Sequence, residues 1–78
     1  MDLRQIEYII AIEQEESISK AAEKLFITQS ALNQQLLKLE KELGMPLFER
    51  KKRQMIPTVA GRIYLATAHQ MMDMKQET

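Results

Sequence analysis

The 78-residue chain has no cysteine, which excludes disulfides and thiolate metal sites. It has a single histidine, His69, which excludes a His-cluster metal centre. Glycine and proline occur twice each, so few tight turns are available. No apolar run approaches the roughly 18 residues needed to span a membrane. The start, MDLRQIEY, is acidic and amphipathic rather than a signal peptide. A soluble cytoplasmic protein is therefore expected. Ser17, Ser19, Ser30 and Thr58 offer hydroxyls. Without a second histidine, a cysteine or a glycine-rich loop they assemble no catalytic set, so an enzyme, a metal and a cofactor are not expected.

What remains is rich in Leu, Ile, Ala, Glu, Lys, Gln and Met, a helix-forming composition. The length allows one small domain near the lower end of what a single core can stabilise. The formal net charge is zero, but it is unevenly distributed. Residues 1–23 hold six acids and two bases. Residues 24–39 hold two bases and no acid, and 40–49 hold three acids and one base. Residues 50–72 hold five bases and no acid. One end is thus acidic, and two acid-free segments stand apart from it.

Along the chain, Asp2 with Gln5 fits a capping box, and Leu3, Ile6, Ile9 and Ile10 recur at helical spacing. Ser17 is an N-cap for a second helix, ISKAAEKLF, whose small Ala21 and Ala22 allow close approach of another helix. Leu25, Phe26 and Ile27 end that helix with apolar side chains. Thr28 caps a third helix that runs to Leu43, with Gly44 as its left-handed terminator. On it Leu32, Leu36, Leu39 and Leu43 share one face, whereas Gln29, Ser30, Asn33, Gln34 and Gln35 bring uncharged amides and a hydroxyl to the remainder. Pro46 and Pro57 bracket two short strands, LFE and MIP, with the basic RKKRQ as the tip between them. Thr58 caps a last helix whose apolar positions are Ile63, Tyr64, Leu65, Ala68, Met71 and Met72.

Two helices joined by a short turn, with alanines in the first and an amide-rich N-terminal half on the second, describe a helix-turn-helix at about 18–37. Its physics suits DNA. A helix N-terminus offers partial positive charge and free N–H groups to phosphate. Gln and Asn can bond adenine N6 and N7 in the major groove. A basic hairpin after the second helix is then a wing, with Arg50, Lys51, Lys52 and Arg53 along the backbone or in a minor groove. Leu37 falls away from the leucine face, near Ser30 and Asn33. It reads as a lightly exposed residue, with a thymine-methyl contact as the alternative.

The segments LRQIEYIIAI, SISKAAEKLFITQSALNQQLLKLEKELGMPLFER and PTVAG together resemble the N-terminal DNA-binding domain of LysR-type transcriptional regulators over nearly the whole chain. The resemblance implies a mainly α winged helix-turn-helix: a three-helix core, a short two-stranded wing and a long C-terminal linker helix. The DNA-binding domain would be 1–58, with the wing at about 46–57, and the linker helix 59–78. An effector-binding domain of about two hundred further residues normally follows in such proteins and is not among these 78. The chain is therefore expected to be an isolated domain. By position, Gln29 and Ser30 match the start of the recognition helix, and Asn33 and Gln34 lie one turn on. Lys38 matches a base that reaches the DNA backbone, and Arg50 and Arg53 match wing arginines. Thr58 matches the cap of the linker helix. With Thr28 and Lys52 these residues form the expected DNA-binding set. Three departures stand out: Ser30 replaces a common proline, Gln34 replaces a frequent base, and the wing lacks its usual glycine.

The expected partners are double-stranded DNA and a second copy of the chain, paired through Tyr64, Leu65, Ala68, Met71 and Met72. The full-length protein could form a tetramer, and a small-molecule effector would act only through the missing domain. The alternatives are a winged helix from another regulator family, such as the molybdate type, or a helical dimerisation module that never touches DNA; the acid-free segments weigh against the latter.

Overall fold

The computed structural model describes residues 2–77, with side chains through Asp73. The elements run α1 (Leu3–Glu15), α2 (Ile18–Leu25), α3 (Gln29–Leu43), β1 (Phe48–Lys51), β2 (Gln54–Pro57) and α4 (Val59–Glu77). The fold is the mainly helical winged helix-turn-helix expected from the sequence. Thr78 and the side chain of Met74, which the sequence placed in the last helix, lie outside the described residues.

Each helix begins at a side-chain cap. Asp2 accepts from the Gln5 amide at 2.9 Å, and the Gln5 side chain accepts from the Asp2 amide at 3.3 Å, closing the capping box. Ser17 accepts from the Lys20 amide at 3.1 Å, and Thr28 from the Ala31 amide at 3.0 Å. Left-handed residues end the first three helices: Glu16 (φ 55°), Phe26 (φ 59°) and Gly44 (φ 75°). At Phe26 the next amide, of Ile27, reaches back to the Ala22 carbonyl at 3.1 Å, a Schellman closure that turns the chain sharply toward α3. That geometry points Phe26 away from the core. Although apolar, its ring is 95% exposed.

The core forms where α1, α2 and α3 meet. Ile9, Ile12, Leu32 and Leu39 are fully buried there, and Ala21 and Ala22 are buried with them, small enough to let the helices close up, while Ile6, also buried, faces Tyr64 and Ala68 of α4. Three of the four stripe leucines of α3 are buried; Leu43, in the last turn, is not. Leu47, Phe48 and Met55 extend the core under the ribbon. β1 and β2 pair antiparallel, with Phe48 opposite Pro57 and Lys51 opposite Gln54.

Three ties fix the ribbon and α4 to this core. The Met55 amide donates to the Glu16 carbonyl at 3.0 Å. The Thr58 amide donates to the Leu47 carbonyl at 3.0 Å, and its hydroxyl donates to the Pro46 carbonyl at 2.7 Å. Gly61 is buried where α4 crosses this segment, and a Cβ there would collide with the Leu47 carbonyl oxygen. Glycine is thus required by proximity rather than by backbone angle.

Candidate nucleic-acid interface

Residues 29–38 of α3 carry an acid-free exposed face. Gln29, Ser30, Asn33, Gln34, Leu37 and Lys38 are all exposed. Thr28 spends one lone pair on the Ala31 amide and its carbonyl on the Leu32 amide. Among the described residues this leaves the amides of Gln29 and Ser30 without a protein acceptor at the positive end of the helix dipole. An open cleft of about 420 Å³ adjoins them, lined by Ile18, Gln29, Ser30, Asn33 and Arg50.

Arg50 reaches this cleft because of the ribbon's alternation. Phe48 is buried, so Arg50, two residues on, shares its inward face, and its cross-strand partner Met55 is buried too. Glu49 and Lys51 point the other way and approach each other at 3.4 Å, both well exposed. Such a pair contributes little to stability. Lys52 (φ 48°) and Arg53 (φ 68°) alone join the strands. Positive φ at both positions marks a type I′ hairpin turn, which resolves the tip that lacks a glycine. Both bases are exposed at the end of the ribbon.

Three expected site residues are engaged within the chain itself. Thr58 caps α4 by accepting from the Gly61 amide at 3.0 Å while donating to Pro46, so its hydroxyl proton is not free for a phosphate. Leu65 and Ala68, expected at a dimer interface, are 3% and 2% exposed within the single chain. The correction has a simple cause: α4 lies against α1 and β2, and these positions fill that contact. Tyr64 is half-buried, and its hydroxyl oxygen is sealed from solvent with no hydrogen-bond partner among the described residues. Burial raises its pKa, with a smaller push from the Asp2 charge. Met71 is exposed and Met72 half-buried.

The apolar surface that α4 does leave open is Val59, Ile63 and Met71, beside Leu43 and Met45 from the end of α3. The stripe reading missed Val59 and Met45. For Val59 the signal was present in the spacing, since 59, 63, 67 and 71 form one line along a helix. Lys24, one of the two bases in the first acid-free segment, turns onto α1, donating to Gln14 at 2.9 Å and lying 3.7 Å from Glu15. It leaves Lys38 as that segment's base on the exposed surface. His69, on α4, contacts Glu13 of α1 at 2.8 Å. No group of acids or histidines among the described residues could hold a metal ion, and no helix among them is long and apolar enough to cross a membrane.

Fold and exposed face together define a winged helix-turn-helix domain whose third helix opens on an acid-free, donor-rich face. Residues 3–62 match the family described as bacterial regulatory helix-turn-helix protein, lysR family, and the chain belongs to that family. It is 47% identical over 73 residues to the HTH-type transcriptional regulator BsdA of Bacillus subtilis (strain 168), covering 92% of this chain and 25% of that protein. It is 39% identical over 72 residues to the HTH-type transcriptional regulator BenM of Acinetobacter baylyi, covering 92% and 24%. The chain thus spans about a quarter of the length of these relatives. Among solved structures, the BenM DNA-binding domain in complex with benA site 1 DNA superposes with a TM-score of 0.93 at 36% identity, covering 99% of this chain and 86% of that one. The CbnR DNA-binding domain in complex with DNA gives 0.89 at 31% identity, covering 99% and 88%.

Proposed function

We propose that the chain binds double-stranded DNA in a sequence-specific way, as the DNA-binding domain of a LysR-type transcriptional regulator working in the cytoplasm. α3 enters the major groove with Gln29, Ser30, Asn33 and Gln34 toward base edges, and the free amides at its start meet phosphate. Lys38 and the tip bases Lys52 and Arg53 lie along the backbone or in the adjacent minor groove. The observation that carries this reading is the cleft shared by Gln29, Ser30, Asn33 and Arg50. Helix and ribbon there present neutral readers beside a cation, with no acid among the cleft residues.

The exposed apolar side chains of Val59, Ile63 and Met71, with Leu43, Met45 and Tyr64 beside Ile63, support pairing with a second copy through α4, because clustered exposed apolar surface is costly in a monomer. A tetramer and a small-molecule effector belong to the longer protein of which such domains are part.

The test is fluorescence anisotropy on labelled duplex DNA across a salt series, with Arg50→Ala/Arg53→Ala beside the wild type. The expected result is binding that weakens steeply with salt, and a double variant whose logarithmic salt slope is shallower by about 2. Absence of binding at low salt, or an unchanged slope in the variant, removes the proposal.

A further inference from the structure

Leu37 is absent from the buried core of the described residues. It is 56% exposed, well beyond the light exposure expected from the sequence. It lies off the core face that Leu32, Leu36 and Leu39 bury. A lone surface leucine is ordinary. This one, however, completes a line with Ser30, Asn33 and Gln34 at the i, i+3, i+4, i+7 spacing by which a single helix reads successive base pairs in the major groove. Leu37 lies about 12 Å along the helix from Gln29. An aliphatic side chain cannot bond a phosphate or a base-edge donor. The apolar group that base edges offer in the major groove is the thymine C5-methyl.

We infer that Leu37 is a specificity-determining residue that packs on a thymine methyl, two helical turns from the start of α3, and so selects A·T at one position of each half-site. The inference rests on the DNA-binding reading above. It extends the reading surface into the second half of α3, past the amides. Adenine-bonding amides at Asn33 and Gln34 and a methyl-seeking leucine one turn on favour the same kind of base pair.

The experiment enriches duplexes from a random pool with the wild-type chain. It then replaces each thymine of the enriched site with deoxyuridine, which removes only the methyl, and titrates wild type and Leu37→Ala against each duplex. The wild type should lose about fourfold in affinity at one thymine per half-site, the effect of one buried methyl. Leu37→Ala should lose a similar factor on the unmodified duplex and nothing further at that thymine. Leu37→Lys should bind random duplex more tightly while losing preference for thymine there. Leu37 is not in the core, so these variants keep the fold, which circular dichroism checks. Wild-type binding with no thymine coupled to residue 37 overturns the inference and leaves the DNA-binding proposal standing. A pool that shows binding but no enrichment overturns it too. No binding at any salt overturns both.

Discussion

The carboxylate of Glu40, late in α3, accepts a hydrogen bond from the Leu47 amide at 2.7 Å. This bond joins the recognition helix to the root of the wing across the Gly44 turn. An amide left without an acceptor in this part-buried place is costly, and a bond to a charged acceptor is among the stronger ones. Glu40→Ala should therefore lower stability by about 1–2 kcal/mol in urea denaturation. Glu40→Gln keeps an acceptor and should recover most of that. If the bond also sets the angle between helix and wing, Glu40→Ala weakens DNA binding even after correction for the unfolded fraction.

The wing tip is held in a conformation its residues resist. Lys52 and Arg53 both have positive φ, which costs side-chain-bearing residues on the order of 1 kcal/mol each. The type I′ turn prefers Asn-Gly. Lys52→Asn/Arg53→Gly should raise the melting free energy by about 1 kcal/mol. The same change removes two positive charges, so the logarithmic salt slope of DNA binding should fall by about 2. A variant with greater stability and weaker, less salt-sensitive binding would mean that the strain is retained for the charges. Unchanged binding would remove the tip from the interface.

Gly61 reverses the usual rule for helices. Alanine in place of an interior helical glycine normally stabilises by about 1 kcal/mol. Here the added methyl would enter the space of the Leu47 carbonyl oxygen, a backbone atom that cannot swing aside. Gly61→Ala should therefore destabilise by about 2 kcal/mol in thermal melts, through overpacking.

Much of this architecture is legible in the sequence because it depends on local chemistry. The capping box at Asp2–Gln5 and the caps at Ser17, Thr28 and Thr58 are short-range bonds, and each is formed where the residue types indicate. The order of helices and ribbon follows from periodicity and the two prolines. The parts that stay hidden depend on what a segment packs against. α4 is apolar around much of its circumference, so its pattern alone cannot assign Leu65 and Ala68 to the chain's own core rather than to a partner. Phe26 looks like a core residue by type, yet the Schellman turn sends it outward. Arg50 and Arg53 look equivalent in RKKR, but strand alternation turns Arg50 toward α3 and leaves Arg53 at the tip.

The two faces of α4 separate by substitution. Leu65→Ala should cost about 3 kcal/mol of stability, since it empties a buried position. Ile63, 67% exposed, tolerates change in the folded chain, so Ile63→Glu should alter stability measured at low concentration by less than about 0.5 kcal/mol. Under the proposed pairing, Ile63→Glu should shift the chain to monomer in sedimentation velocity. A wild type that is already monomeric at high concentration, or a dimer indifferent to Ile63→Glu, removes α4's open strip as the interface.

Tyr64 makes stability depend on pH in the alkaline range. Burial, and secondarily the Asp2 charge, raises its pKa in the folded chain. The unfolded tyrosine ionises near its ordinary value of about 10. From about pH 10 upward the unfolded chain therefore releases this proton while the folded chain retains it, so the folded state binds more protons and stability falls as pH rises. Tyr64→Phe lacks the group and should lose less stability than the wild type between about pH 9 and pH 11. Tyr8 is common to both, so the difference isolates residue 64. At neutral pH the same substitution removes a hydroxyl oxygen that is buried without a partner among the described residues, and it should leave the protein as stable or up to about 1 kcal/mol more stable. Equal alkaline losses in the two proteins would mean that the phenol titrates alike folded and unfolded. A destabilised Tyr64→Phe at neutral pH would mean that the hydroxyl finds an acceptor within the folded chain.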